Sequence, residues 1–318
     1  MFSTYDLKAF SSRLKEIRKS LGFTQDNVVT GTGLSGETLR KLENGLVVPR
    51  YDTIEMLSLF YKTDLQAVLN NYKSSSELIK YYEIIDYHIV GYNTASIIST
   101  IESFNDFMAN ATLKLIDMKE LHQLKLLFSG LYMSYTTNDA PDVIDSIIET
   151  YIESIRVCTP SFSIEHWRQF KYSNVELRIL FALASLYGVR RSCELSNDLL
   201  FFIVDSLDFS FSSKHIDKLL IAKAFVLISY NYHRMDLHEM ALAYASKGIA
   251  FCNQHAIMSN LALLLARKGT AMYFLKQSNY QIFFDQSLSL LAVQDNYELA
   301  EIYRKAFEKY NEKPLLDT

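Results

Sequence analysis

Cysteine is scarce in this 318-residue chain. Cys158, Cys193 and Cys252 are the whole complement, far apart and odd in number. That suits buried free thiols in a reducing compartment better than a disulfide framework or a metal site. Proline (four) and glycine (ten) are nearly as rare, so little interrupts helices. No apolar run approaches the roughly 18 residues a membrane helix requires. The N-terminus, with Asp6 and Lys8, lacks the basic-then-apolar pattern of a secretory signal. Catalytic patterns are missing as well: there is no H-E-x-x-H, G-x-S-x-G, Walker or Rossmann sequence, and the seven histidines are scattered. The expectation is a soluble cytoplasmic protein, not an enzyme, with no cofactor and no metal.

What is present is apolar content enough for real cores, 49% of residues against 21% charged, over a length that allows two or three domains. The net charge of -4 at pH 7 speaks at first against a nucleic-acid binder. Residues 1–70, however, hold nine Lys/Arg and eight Asp/Glu, leaving 23 and 28 in the remainder. Affinity for DNA would then come from placement, through Arg13, Lys15, Arg18, Lys19, Arg40, Lys41 and Arg50, and not from bulk charge. A homodimer would double those contacts.

The segment Thr24–Gly45 reads as helix, turn, helix. Thr24 can cap a first helix, with Asp26 near its positive end. Gly33 stands at a sharp turn where φ > 0 is needed. Ser35 can cap a second helix with Leu39 and Leu42 inward, Gly45 ending it, and Glu37, Arg40 and Lys41 pointing away. Before it, Phe10, Leu14, Ile17 and Leu21 form one face of an amphipathic helix whose outer face is Arg13, Lys15, Arg18 and Lys19. After it, Asp52 can cap a helix with Ile54, Leu57 and Tyr61 inward, and Asp64 another with Leu65, Val68 and Leu69.

Gly22-Phe23-Thr24-Gln25, Gly33-Leu34-Ser35, Thr38-Leu39 and Leu42-Glu43-Asn44-Gly45 together resemble the lambda-repressor/Cro-type (XRE) five-helix domain. Thr32, where an apolar residue is usual, departs from that pattern, and Gly31 weakens its helix by about 1 kcal/mol relative to Ala. The resemblance implies that Gly36, Glu37, Arg40 and Lys41 face base edges, with Ser35 and Thr38 beside them. Gln25 and Asn44 would touch phosphate, and Glu43 would pin the domain internally. Gly36 removes a side chain where many relatives read a base.

Lys73-Ser74-Ser75-Ser76-Glu77 is the one low-complexity stretch. The expected organisation is a DNA-binding domain at 1–72, a linker at 73–77 and a helical domain at 78–318. Helices are expected at 77–90, 93–109, 119–137, 140–157, 161–172, 174–188, 192–207, 213–233, 237–253, 256–276, 279–292 and 295–310, so the fold class is all-α. Phe225, Ile228, Ser229, Tyr232, Ala241, Ala245 and Gly248 have tetratricopeptide spacing, and Leu265, Gly269 and Met272 restart it, which predicts an α-solenoid.

An XRE domain followed by a tetratricopeptide-like array resembles the peptide-pheromone regulators of the Rgg/PlcR/PrgX group, and Trp167, Glu176-Leu177 and Phe181 are similar to an Rgg signature with stretched spacing. The resemblance implies a cytoplasmic, dimeric quorum-sensing transcription regulator that binds a double-stranded operator and a short signalling peptide. The rival reading makes the helical array a dock for a folded protein. First helices of repeats would line the groove with Lys223, Val226, Tyr230, His233, Leu263, Ala266, Thr270 and Tyr273. Asn231 would satisfy peptide amides, and Arg178 or Arg267 would hold a carboxylate.

Overall fold

Asp6 accepts a hydrogen bond from Ala9 N at 3.0 Å and so starts the first helix, α1 (Leu7–Ser20). α2 (Gln25–Thr32), α3 (Gly36–Glu43), α4 (Tyr51–Tyr61) and α5 (Leu65–Asn70) follow. They close on a core of Phe10, Leu14, Ile17, Val28, Leu39, Leu42, Ile54, Leu57, Tyr61, Leu65 and Leu69. This is a computed structural model, and it describes residues 6–70, 72, 81, 84–85, 87–89, 95–110, 115–137, 140–208 and 215–311. The chain divides into two compact units, Met1–Tyr82 and Glu83–Thr318. The expected linker at 73–77 and most of the expected helix at 77–90 lie outside the described residues.

Several local expectations change in the first unit. Leu21 does not extend the inward face of α1: it is the C-cap residue and is exposed, because the chain turns away at Gly22 (φ +75°). Asp52 caps nothing. Arg50 occupies the N-cap of α4, Asp52 lies in the first turn, and its carboxylate accepts from Thr53 N at 2.7 Å. Asp64 does accept from Ala67 N, at 2.9 Å, ahead of α5. Gly31 is a packing requirement: a Cβ there would stand 2.0 Å from Cε2 of Phe60. Thr32 turns its hydroxyl back to Val28 O at 2.6 Å, which satisfies a polar group where an apolar one is usual.

The second unit contains α6 (Ala95–Asn110), α7 (Leu115–Thr136), α8 (Pro141–Arg156), α9 (Asn174–Val189), α10 (Cys193–Asp208), α11 (His215–Arg234), α12 (His238–Gln254), α13 (Leu261–Phe274), α14 (Tyr280–Val293) and α15 (Tyr297–Asn311). No strand occurs among the described residues, and the class is all-α. From α6 onward each helix packs on the next where both are described, and the alternate helices α7, α9, α11 and α13 also touch their counterparts. That is the layering of a tetratricopeptide-like solenoid, with alternate helices forming one inner wall. The small residues of the repeat pattern are close-approach points. A Cβ at Gly248 would meet Leu264 at 2.7 Å and Phe225 at 2.8 Å, and one at Gly269 would meet Phe284 at 2.6 Å.

The helix expected at 161–172 is replaced by a short 3-10 segment, Ile164–Gln169. His166 leaves helical geometry (φ −116°, ψ 17°), Phe170 is extended (ψ 156°), and a capping box follows. Ser173 must be extended (ψ 168°) for its hydroxyl to accept from Glu176 N, while Glu176 returns a carboxylate to Ser173 N at 2.8 Å. A helix cannot run through that residue. The segment instead buries Trp167 edge-on against Phe202, with ring centroids 5.2 Å apart. Of the cysteines, Cys193 and Cys252 are buried, whereas Cys158 is exposed, against the expectation for all of them. Burial pushes the Cys252 thiol up to about 11.

Candidate nucleic-acid interface and ligand cavity

The helix-turn-helix is built by local hydrogen bonds. Thr24 Oγ1 accepts from Asn27 N at 3.1 Å and Asn27 Oδ1 accepts from Thr24 N at 2.9 Å, a reciprocal capping box. Gly33 takes φ +74°. Ser35 Oγ accepts from Thr38 N at 3.1 Å and starts α3. Gly45 (φ +67°) ends it: Gly45 N donates to Leu42 O and Leu46 N to Lys41 O, the paired bonds of a Schellman turn.

With Leu39 and Leu42 buried, α3 presents the exposed Gly36, Glu37 and Arg40 and the half-buried Thr38 and Lys41. Lys41 Nζ lies 2.7 Å from Glu37 Oε1, one turn away. The hydrogen bond and charge of Lys41, helped by Arg40, hold the Glu37 carboxyl below the usual carboxylate range. Arg40 makes no ion pair among the described residues, so α3 offers one uncommitted guanidinium and one internally paired lysine. Asn44, exposed, is the C-cap residue of α3. At the start of α2, Gln25 shares a shallow hollow with Lys15, Lys19 and Thr24.

Arg18, expected on the basic outer face of α1, is buried. Its Nε and Nη2 donate to the two carboxylate oxygens of Glu43 at 2.5 and 3.0 Å, and its Nη1 donates to Phe23 O at 2.8 Å. Gln25 Nε2 adds a bond to Glu43 at 2.8 Å, so α1, α2 and α3 are tied through one carboxylate. The Glu43 hydrogen bond raises the Arg18 pKa further, against the opposing effect of burial. Tyr61 OH, buried without a partner, lies in the field of this pair, and desolvation first, then Glu43, pushes its pKa up to about 12. Gln25 therefore has a structural bond as well as an exposed position.

In the second unit a cavity of about 520 Å³ opens along the inner wall. α7 contributes Leu131, Ser134 and Tyr135; α8 Ile144, Ile147 and Tyr151; α9 Ala182, Ser185 and Leu186; α11 Lys223, Val226, Leu227, Tyr230 and Asn231; α13 Leu263 and Arg267; and α15 Tyr303. Among the described residues the lining is largely apolar with scattered hydroxyls, carries Lys223 and Arg267, and includes no Asp or Glu. The Arg267 guanidinium stacks over the Tyr230 ring, 4.2 Å from its centroid, and its buried Nε has no hydrogen-bond partner.

Of the residues expected to hold a peptide, Lys223, Tyr230, Asn231 and Arg267 line this cavity, as do Val226 and Leu263. The others do not. Arg178 is buried and donates to Asp217 at 3.0 Å and to Asn174 O at 3.1 Å, binding α9 to α11. Tyr273 is turned onto Phe274 and Tyr280, both edge-on at 5.3 Å. Ala266 and Thr270 are buried among helices. His233 faces His238, with their Nδ1 atoms 3.1 Å apart, and Phe274; burial, then His238 and Arg267, depress its pKa to about 4. Asn231 reaches the cavity wall but spends its amide inside the fold, donating to Ser196 Oγ at 2.8 Å and Asn197 Oδ1 at 2.9 Å. Sequence reasoning missed the contributions of α7, α8, α9 and α15, whose residues lack repeat spacing. No group of three or more His, Cys, Asp or Glu among the described residues could hold a metal ion, and no described helix is long and apolar enough to cross a membrane.

Residues 12–74 match a family of helix-turn-helix domains. No curated protein sequence matches the chain. Solved structures do. Bacillus thuringiensis PlcR in complex with the peptide PapR7 and DNA is similar at 14% identity and TM-score 0.70, over 93% of this chain and 99% of that one. ComR from S. thermophilus in complex with DNA and its signalling peptide ComS is similar at 15% identity and TM-score 0.58, over 95% and 99%. The Streptococcus dysgalactiae SHP pheromone receptor Rgg2 is similar at 11% identity and TM-score 0.58, over 94% and 98%. Residues 12–74 match a helix-turn-helix domain, and the chain has the all-α fold of PlcR, ComR and Rgg2.

Proposed function

We propose that this protein is a cytoplasmic, dimeric, sequence-specific transcription regulator whose DNA binding is controlled by a short signalling peptide held in the second unit. It performs no chemistry of its own. The observation that carries the peptide half is the lining of the inner-wall cavity: largely apolar side chains, with the Arg267 guanidinium among them. An extended apolar peptide brings side chains for the first and a C-terminal carboxylate for the second, and Arg267 Nε, buried without a partner, is the group such a carboxylate would satisfy. PlcR and ComR, whose structures contain peptide and DNA, support the same reading. A folded protein partner fits less well, because most of the lining is buried.

The DNA half rests on α3. Arg40 donates to a guanine edge, Glu37 and Lys41 act as an internally paired unit beside it, and Ser35, Gly36 and Thr38 form the leading end. Gln25, next to Lys15 and Lys19, and Asn44 meet the phosphates. Duplexes selected from a random pool by the full chain, followed by calorimetry with a library of short apolar peptides, test both halves. The expected result is a defined duplex sequence and peptides whose affinity falls when the C-terminus is amidated. Selection of no sequence, or no peptide binding at the cavity, refutes the corresponding half.

A further inference from the structure

The first unit holds Gly22, Gly31, Gly33, Gly36 and Gly45. Four of them have a reason inside the fold. Gly22, Gly33 and Gly45 stand at φ +75°, +74° and +67°, where side chains are strained, and Gly31 makes room for Phe60. Gly36 has neither reason. It lies outside the positive-φ region, and the nearest atom a Cβ would meet is Val29 Cγ2 at 4.0 Å, with open space elsewhere. It does not cap α3 either, since Ser35 does that through Thr38 N. Alanine is the better helix former, so the unit by itself would favour alanine at this position.

The position supplies what the fold does not. Gly36 is exposed and is the first residue of α3, the second helix of the motif. In helix-turn-helix proteins the N-terminal residues of that helix are the ones that meet base edges. Glycine is also the residue that lets backbone come close to a ligand. We propose that Gly36 is a specificity-determining residue: its bare backbone packs directly against the duplex and sets how deeply α3 enters the major groove. A Cβ at residue 36 holds the helix off the bases, so Arg40, one turn further along, loses its reach. Glu37 and Lys41, tied to each other at 2.7 Å, cannot make up the loss without breaking their pair.

This inference rests on the DNA-binding reading, and the experiment separates the two. A duplex is first selected from a random pool by the wild-type full chain. Gly36→Ala and Gly36→Val are then compared with wild type in thermal melts and in gel-shift titrations against that duplex. The expected result is a Gly36→Ala melting temperature no lower than wild type, with affinity for the selected duplex reduced at least tenfold, and a larger loss for Gly36→Val. Affinity within twofold of wild type for Gly36→Ala overturns the inference and leaves the DNA-binding reading standing. A melting temperature clearly below wild type for Gly36→Ala also overturns it, because glycine would then have a task inside the fold. A wild-type chain that selects no duplex refutes the reading beneath it.

Discussion

Two arginines, one in each unit, place guanidinium nitrogen away from water in different ways: Arg18 is buried as a whole, Arg267 only at Nε. In the first unit Arg18 spends Nε, Nη1 and Nη2 on Glu43 and Phe23 O. In the second, Arg267 rests its guanidinium on Tyr230 and leaves Nε buried without a bond. A buried polar group without a partner costs stability, on the order of 1–3 kcal/mol. A fold that only needed to hold itself together has a solution for a buried guanidinium, and the first unit uses it. If the cavity holds a peptide as proposed, the bare Nε of Arg267 is the group its carboxylate meets.

The comparison is broken most severely at Arg18. Arg18→Ala leaves the buried Glu43 without its counter-charge, with only the Gln25 hydrogen bond remaining, and the expected loss is about 3–5 kcal/mol of stability of the first unit, read by chemical denaturation. A loss below 1 kcal/mol would mean the pair is not buried as described. Arg267→Met, which keeps the packing on Tyr230, should cost little stability and weaken peptide binding by about 1.5–3 kcal/mol, the value of a hydrogen bond to a charged group. Equal affinity of the variant for free-acid and amidated peptides, where wild type distinguishes them, would show that Arg267 is the discriminating group. Arg40→Ala should weaken binding to the selected duplex by about 1–3 kcal/mol and broaden its sequence preference. Unchanged affinity and selectivity would remove Arg40 from the interface.

How much of this was legible in the sequence depended on distance along the chain. The caps at Thr24, Ser35 and Asp64 and the positive-φ glycines Gly33 and Gly45 are local events, so residue type and spacing announce them. Arg18 looked like one more cation on the outer face of α1, because its partner is 25 positions away and no pattern links them. Gly31 read as a helix weakness for the same reason: the ring that needs the space belongs to Phe60. In the second unit, repeat spacing points to α11 and α13 and to Lys223, Val226, Tyr230 and Leu263, which do line the cavity, while Arg267 follows from its type and location. The same spacing points to Tyr273, which the packing of Phe274 and Tyr280 turns aside. Arg178 carries the right charge for a peptide carboxylate, but Asp217 already takes it.

A further expected effect is a pH dependence. His233, beside Arg267, is held neutral, with a pKa depressed to about 4 from an ordinary value near 6.5. Below 6.5 the unfolded chain takes up a proton that the folded chain refuses, so stability falls as pH drops from about 6.5 towards 4. His233→Phe should flatten that part of the melting-temperature profile. A profile identical to wild type would mean that other groups set the acid dependence.

The central claim is that the cavity governs what the helix-turn-helix does. It is tested most directly by titrating a cavity-binding peptide into a gel shift of the full chain on its selected duplex, with Arg267→Met in parallel. The account predicts a change in wild-type DNA affinity of at least about fivefold at saturating peptide, the lower end of ordinary coupling energies. For Arg267→Met the same change should need correspondingly more peptide. A peptide that saturates the cavity while the DNA affinity stays constant would contradict the account.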